Sequence, residues 1–187
     1  MELDHPLTLG IVLAAGAGRR YGKPKVTVDG WLETAVDALR GGGCDDVAVV
    51  LGAAVVPVPP GATAVIAQDW DTGLSASVRA GLDHATGTTA DLAVLHVVDT
   101  PDVGAPVVAR VLQRAVASRN GLARAVYAGA PGHPVVISRA HWPALIATLA
   151  GDRGAGAFLR TAAGVDDVEC GDLAGGEDHD RPATVEP

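Results

Sequence analysis

The chain has 187 residues, of which 48% are hydrophobic and 19% charged, and its formal net charge is -8 at pH 7. This length suits a single folded domain, and the hydrophobic content excludes an intrinsically disordered chain. The acidic balance and the six aromatic residues disfavour nucleic acids and anionic membranes as partners.

Neither export nor membrane insertion is indicated. No apolar run approaches the ~18 residues that a spanning helix needs, and the first five residues lack the basic segment of a signal peptide. Two cysteines, Cys44 and Cys170, are too few for a zinc site or a disulfide framework, so reduced, partly buried thiols are expected. We therefore expect a cytoplasmic protein.

Apolar runs alternate with helical periodicity along the chain. Strands buried on both faces are predicted at residues 8–15, 46–51, 63–67, 91–98 and 135–138. Helices are predicted from apolar residues spaced i, i+3, i+4 and i+7, near residues 32–39, 74–85, 108–116, 142–149 and 155–162. This alternation predicts an α/β fold with a mainly parallel sheet covered by helices on both faces.

The chain reads as one domain over residues 1–187, with no internal repeat and no long linker. From Gly171 onward the apolar periodicity is lost, so residues 172–187 form either a mobile tail or a loop that contributes to a site. Ligands of a parallel sheet bind beyond the carboxyl ends of its strands. The segments that follow strands, at 16–25, 68–77 and 99–104, are therefore the candidate site.

A glycine-rich, basic loop follows the first predicted strand. Both lysines of the chain lie in it, although the chain has 14 basic side chains. Glycines let the backbone approach a ligand, and clustered cations neutralise a di- or triphosphate. The loop contains Gly16, Gly18, Arg19, Arg20, Gly22, Lys23 and Lys25.

Two familiar phosphate-binding motifs do not match this loop. Gly16 and Gly22 are too far apart for a P-loop, and Pro24 follows Lys23 where a hydroxyl residue is required. Tyr21 occupies the position of the third glycine of a dinucleotide fingerprint.

Acidic residues beyond the strands are candidates for metal binding. Asp99 follows the strand at 91–98, and an acidic group at this edge suits Mg²⁺, although it could equally cap the next turn. The acidic stretch at 178–180 resembles a solvated tail by composition. His96 lies within the same strand, whose other residues are largely apolar. It is expected to be a hydrogen-bonded core histidine.

The motifs together resemble the MobA-like nucleotidyltransferases, and most closely the molybdenum cofactor cytidylyltransferases. The sequence LAAGAGRRYGKPK at 13–25 resembles the family signature, and DWDTGLSASVRAGL at 69–82 resembles its second block. VVDTPDV resembles the metal-aspartate motif, and the Gly-His-Pro at 132–134 is typical of the cytidylyl branch, as is Ala15. DHDRP at 178–182 matches the closing motif loosely, because Arg181 and Thr184 depart from it.

The resemblance implies a Rossmann-like three-layer α/β/α sandwich of the nucleotide-diphospho-sugar transferase type. It implies Mg²⁺-dependent transfer of a nucleoside monophosphate, with CTP favoured, to a small phosphorylated acceptor such as molybdopterin. The residues it assigns to catalysis are Lys25, Arg20 and Asp99, and those assigned to the metal are Asp99 and Asp180. The nucleotide would be bound by Leu13, Ala14, Ala15, Gly16, Gly18, Gly22, Lys23, Gly73, Ser75 and Ser77, and the acceptor by Gly132, His133 and Pro134.

Two other functions stay open at this point. Relatives with a similar loop include NAD(P)H-dependent oxidoreductases of the nicotine blue type. No acidic residue lies near the end of the strand at 47–51, which argues against ordinary dinucleotide binding. A non-catalytic nucleotide-binding protein is favoured if Asp180 does not reach the site. Val98, where the family has glycine, would restrict backbone approach beside Asp99.

Overall fold

The computed structural model describes residues 5–181. Its strands are β1 (Thr8–Leu13), β2 (Asp46–Leu51), β3 (Ala62–Ile66), β4 (Leu92–Val97), β5 (Leu122–Tyr127), β6 (Ala130–Ser138) and β7 (Asp166–Glu169). Its α-helices are α1 (Trp31–Gly41), α2 (Leu74–Thr86), α3 (Ala105–Ala117), α4 (Trp142–Thr148) and α5 (Ala155–Thr161). All five predicted strands and all five predicted helices are present with shifts at their ends, the largest at β6, which was predicted only over 135–138 and begins at Ala130.

The seven strands form one sheet in the order β3-β2-β1-β4-β6-β5-β7. Every neighbouring pair is parallel except the two pairs that involve β6. The carboxyl ends of all strands but β6 therefore meet at one edge, and the amino end of β6 joins them there. The predicted mainly parallel sheet is confirmed.

Helices cover both faces of the sheet, which gives three layers. The helices α1 and α3 pack on one face, with Val36, Leu39, Val108 and Val111 fully or almost fully buried. The helices α2, α4 and α5 pack on the other face, where Trp142 is buried. Both faces are apolar because the strands alternate side chains between two cores.

Two strands, β5 and β7, were not predicted. β7 (Asp166–Glu169) lies at an exposed edge and reads DDVE, so it lacks an apolar run. Two of its acidic side chains form ion pairs with arginines of neighbouring elements. Arg114 on α3 contacts Asp166, and Arg124 on β5 contacts Asp167. β7 ends at the ligand edge of the sheet, so the residues that follow it can contribute to the site.

The state of the cysteines agrees with the sequence prediction of reduced thiols. Cys44 and Cys170 are both buried free thiols. None of the helices within residues 5–181 has the length and apolarity needed to cross a membrane.

Candidate functional site

A cleft of about 480 Å³ lies at the carboxyl edge of the sheet. Its volume falls within the usual range for small-molecule sites. The end of β1 and the glycine-rich loop form one wall, and the start of α2 and the loop before α5 form another. The end of β4 forms its floor. The lining residues are Leu13, Ala14, Ala15, Gly16, Ala17, Gly18, Arg19, Arg20, Tyr21, Lys25, Trp70, Asp71, Gly73, Leu74, Ser77, Val97, Val98, Asp99, His133, Asp152, Asp178 and Asp180.

The glycine-rich loop offers free backbone donors to this cleft. Gly22 N donates to Gly18 O over 2.8 Å, which closes a tight turn. Gly18 has a φ of +61°, and a Cβ there would lie 1.8 Å from Lys23 O, so only glycine fits. The N–H groups of residues 16–20 have no hydrogen-bond acceptor within the described part of the chain. Such a row of unpaired N–H groups is suited to an anion.

Lys25 connects the two predicted metal ligands. Its Nζ donates to Asp99 Oδ2 over 2.5 Å and to Asp180 Oδ1 over 2.9 Å. The side chains of Lys25 and Asp99 are only 14% and 18% exposed. Burial acts to lower the pKa of Lys25, but the hydrogen bonds to both carboxylates outweigh it and leave the pKa above its ordinary value.

Asp180 reaches the cleft through a segment that we call the strap, residues 171–181. The strap leaves β7 at the ligand edge and crosses back over β5 and β6 toward β1. Arg110 holds its start through two hydrogen bonds to Asp172, at 2.6 and 2.9 Å. His179 N donates to Asp99 O over 3.0 Å, and Asp180 Oδ2 lies 2.8 Å from an Arg20 guanidinium nitrogen. The strap is thus a site-forming loop as far as residue 181, and Thr184 lies outside the described residues.

Gly176 lies in the strap against the ring of Tyr127 on β5. Its N–H donates to Asp102 Oδ2 over 3.0 Å, and its φ is +68°. A Cβ at this position would lie 2.2 Å from the Tyr127 ring. The strap can therefore follow this path only with glycine at position 176.

Gly176→Ala is expected to displace the strap without unfolding the sheet. Overpacking and the positive φ together cost about 2 kcal/mol or more. That cost corresponds to at least about a tenfold loss of affinity for the CTP and Mg²⁺ that the family resemblance implies, because Asp180 no longer lies beside Asp99. Calorimetric titration with CTP and Mg²⁺ measures it. Gly87→Ala, where a methyl group makes ordinary contacts, is the control. Equal affinities in the two variants would contradict the role given to the strap.

Most residues assigned by the sequence to the site line this one cleft. The five that do not line it lie close by in the chain. Ser75 is buried at the start of α2 and lines a neighbouring depression instead. The others outside the lining are Gly22, Lys23, Gly132 and Pro134. Their predicted roles in nucleotide and acceptor binding therefore need contacts from the rims of the cleft.

Several cleft residues were missed by the sequence reasoning. Asp178 is exposed but lines the cleft, and desolvation there together with the nearby Asp99 raises its pKa. Its position in an acidic stretch favoured a solvated tail, and the structure places it, still exposed, at the cleft. Asp152 lines the cleft beside Gly73, whose virtual Cβ would lie 2.7 Å from its Oδ1. The packing of Trp70 against Gly52 places its ring at the β2 end of the cleft.

Val98 lines the cleft, but its side chain is almost fully buried. Its side chain is 5% exposed and packs into the core between the sheet, α1 and α3. Its backbone N–H donates to Leu13 O over 3.4 Å, which continues the pairing of β4 with β1. The valine therefore serves the core, while Asp99, the next residue, turns to the cleft.

Two histidines lie at the β4–β6 side of the cleft. His133 lines it, and burial lowers the pKa of its imidazole. His96 is 1% exposed, and burial and the neighbouring His133 lower its pKa to about 3. Neither ring nitrogen of His96 has a hydrogen-bond partner among the described residues. The prediction of a core histidine is therefore confirmed, but the prediction that it is hydrogen-bonded is wrong. Buried polar atoms without partners destabilise the fold.

His96 is expected to make the protein acid-sensitive. Its folded-state pKa lies below the ordinary value of 6.5, so the unfolded chain binds a proton first as the pH falls. His96 causes no loss of stability above about pH 6.5. As the pH falls from there toward pH 3, the free energy of unfolding decreases progressively, by about 2 kcal/mol at pH 5. His96→Leu should remove this loss and raise stability at pH 7. Urea unfolding at pH 7 and pH 5 tests it, with His84→Leu on α2 as control. If His96→Leu loses as much stability between pH 7 and pH 5 as the parent protein does, this expectation is contradicted.

The residues at the Lys25 cluster fit a divalent cation. Two carboxylate oxygens already converge on one cationic nitrogen, so they can share a cation. Within residues 5–181, no three or more His, Cys, Asp or Glu side chains form a metal-binding group. Mg²⁺ matches this donor set, because it commonly takes one or two carboxylates and completes its shell with phosphate oxygens and waters.

Comparison with known proteins identifies relatives along nearly the whole chain. The model of the MobA-like NTP transferase domain matches residues 10–168. Nicotine blue oxidoreductase from Paenarthrobacter nicotinovorans is 34% identical over 198 residues, which cover 96% of this chain and 95% of that protein.

Solved structures share the fold. The crystal structure of Rv0371c from Mycobacterium tuberculosis matches with a TM-score of 0.75 and 27% identity over 90% of each chain. The 2-C-methyl-D-erythritol 4-phosphate cytidylyltransferase from Thermus thermophilus matches with a TM-score of 0.64 and 23% identity over 91% of each chain. These matches confirm the predicted Rossmann-like α/β/α sandwich.

Proposed function

Since the chain belongs to the MobA-like NTP transferase family, we propose that it transfers CMP from CTP to a small phosphorylated acceptor such as molybdopterin. The observation that carries this proposal is the convergence of Lys25, Asp99 and Asp180 beside the unpaired N–H groups of the glycine-rich loop. Nucleotidyl transfer needs charge neutralisation and positioning rather than a protein nucleophile. The cleft offers donors and charges of this kind.

The glycine-rich loop binds the leaving group in this mechanism. The N–H groups of residues 16–20 hold the β- and γ-phosphates, with Arg19 and Arg20 at the rim of the cleft. Lys25 neutralises charge that develops around the α-phosphate. An acceptor phosphate oxygen forms a bond to the α-phosphorus as the bond to the β-phosphate oxygen breaks, and pyrophosphate leaves.

Asp99 and Asp180 would hold Mg²⁺ in this reaction. The ion, when bound, supplies charge to the phosphate oxygens and holds them in line for displacement. Asp180 comes to this position only because the strap is fastened to Asp102 and Arg110. This contact of the strap with the cleft supports a catalytic protein over a non-catalytic nucleotide-binding one.

The remaining cleft residues would select base and acceptor. Leu13 to Ala15 and the start of α2, from Gly73 to Ser77, would hold the base and ribose. Ala15 and the Gly-His-Pro at 132–134 are the features that favour CTP, through their resemblance to the cytidylyl branch. His133, which lines the cleft on the β6 side, would face the acceptor.

Pyrophosphate release tests this function. The protein is mixed with molybdopterin, Mg²⁺ and one of CTP, GTP, ATP or UTP, and pyrophosphate is measured enzymatically. We expect release with CTP above the other nucleotides, and none when acceptor or Mg²⁺ is omitted. Release with GTP alone would overturn the choice of nucleotide, and no release with any nucleotide would overturn the proposed reaction.

The similarity to nicotine blue oxidoreductase supports a second candidate, an NAD(P)H-dependent reductase on the same fold. Two features of the cleft argue against it. Tyr21 stands where a dinucleotide fingerprint has its third glycine. The chain after β2 continues from Leu51 into Gly52 and Ala53, with no acidic residue to bind a ribose. NADPH oxidation with a dye acceptor, independent of Mg²⁺, would favour the reductase.

A further inference from the structure

Lys25 already occupies the position between the two carboxylates that would hold the metal. Its Nζ lies 2.5 Å from Asp99 Oδ2 and 2.9 Å from Asp180 Oδ1. Asp180 also pairs with Arg20, whose side chain is 75% exposed. Exposed ion pairs contribute little, so Lys25 is the main counter-charge of this carboxylate pair.

A divalent cation and the Lys25 ammonium exclude one another at this position. Mg²⁺ binds oxygen at about 2.0–2.1 Å. An ion on both carboxylates would lie within about 3 Å of Nζ if the lysine stayed, and like charges repel strongly at that distance in a partly buried site. A cation shared by these two carboxylate oxygens can enter only when Lys25 leaves.

Phosphates bound at the neighbouring loop would offer Lys25 an alternative partner. The unpaired N–H groups of residues 16–20 line the same cleft, and phosphates bound there would present negative charge beside the lysine. Lysine is a point charge on a flexible stem and needs no fixed geometry to change partners. The two carboxylates alone also leave most of a Mg²⁺ shell to be filled by phosphate oxygens and waters.

We propose that Lys25 keeps divalent cations out of the Asp99–Asp180 pair until nucleotide phosphates draw it away, so that the metal enters with or after the nucleotide. This inference rests on the proposed function for the site and adds an order of binding to it. The nucleotide-free protein then stays in a metal-free, internally neutralised state even when Mg²⁺ is abundant. Nucleotide binding displaces Lys25 and so allows the metal to complete the catalytic centre.

Metal titration without nucleotide tests the exclusion. Binding of Mn²⁺ is followed by the electron paramagnetic resonance signal of the free ion, for the parent protein, Lys25→Gln and Arg114→Gln. Arg114 pairs with Asp166 on β7, so its variant loses one positive charge away from the cleft. We expect Lys25→Gln to bind Mn²⁺ at least about tenfold more tightly than the other two proteins. Equal binding in all three proteins would overturn the proposal, and so would no binding in Lys25→Gln.

Nuclear magnetic resonance of the lysine Nζ groups provides a second test on the unaltered protein. The chain has two lysines, Lys23 and Lys25, so the spectrum holds two side-chain signals to assign. We expect millimolar Mg²⁺ alone to leave the Lys25 signal in place, and CTP to shift it with or without Mg²⁺. A shift of the Lys25 signal by Mg²⁺ alone would overturn the exclusion, even if Lys25→Gln fails to fold.

The two tests separate this inference from the proposed reaction. If CTP moves Lys25 but no pyrophosphate is released, the proposed transfer fails while the order of binding stands. If pyrophosphate is released but Lys25→Gln and the parent protein bind Mn²⁺ equally, the transfer stands and the exclusion fails.

Discussion

Lys25→Gln is expected to lower the rate of CTP-dependent pyrophosphate release by at least about 100-fold, the usual effect of removing one transition-state donor. The amide keeps the polarity of the side chain but removes its positive charge at the α-phosphate. It also leaves Asp99 and Asp180 without their shared partner, since both carboxylates accept hydrogen bonds from Nζ. Steady-state rates at saturating CTP and Mg²⁺ measure the effect.

The matched control for this variant is Arg114→Gln, which loses the same charge from the surface of α3. Arg114 contacts Asp166, and neither residue lines the cleft. We expect this control to keep the parent rate to within about twofold, because surface ion pairs contribute about 1 kcal/mol or less. If Lys25→Gln also keeps the parent rate, Lys25 is not the group that neutralises the α-phosphate.

Asp99→Asn is expected to reduce the rate by about 1000-fold or more, because a bound metal supplies several kcal/mol of charge stabilisation. Asparagine keeps the shape of the side chain but removes the charge that would bind Mg²⁺. The folded structure should survive, because the His179 N–H donates to the Asp99 backbone oxygen and not to its carboxylate. Rates measured over a range of Mg²⁺ concentrations should show a greatly raised metal requirement.

Asp37→Asn on the exposed face of α1 is the control for the loss of a carboxylate. Its rate and its dependence on Mg²⁺ should match those of the parent protein. An Asp99→Asn variant with a parent-like metal dependence would show that another group binds the ion, and Asp178, the neighbouring carboxylate in the cleft, would be the first to test.

The residues that the sequence assigned to the β1 and β4 side of the site lie together in the structure, for a physical reason. Parallel strands bring their carboxyl ends to one edge, so residues that follow strands, such as Lys25 and Asp99, meet without further information. The apolar runs that mark those strands are strong signals because both faces of the sheet are covered. The family resemblance added Asp180, which composition alone placed in a solvated tail.

The β7 side and the strap could not be predicted from periodicity. Asp166 and Asp167 make β7 look like a loop, and only the arginines of α3 and β5 that pair with them make it a strand. The path of the strap depends on contacts between distant residues, such as Gly176 with Asp102 and Tyr127. Local sequence patterns carry no information about such pairings.

A thermal-shift panel tests the central claim most directly, namely that this cleft binds a nucleoside triphosphate together with a divalent cation. Unfolding is followed with CTP, GTP, ATP, UTP, NADH and NADPH, each with and without Mg²⁺. A ligand at 100 times its Kd stabilises the folded protein by about 2.7 kcal/mol, which raises the Tm by several degrees. We predict the largest shift with CTP and Mg²⁺ together. A shift with NADPH alone, independent of Mg²⁺, would contradict the account.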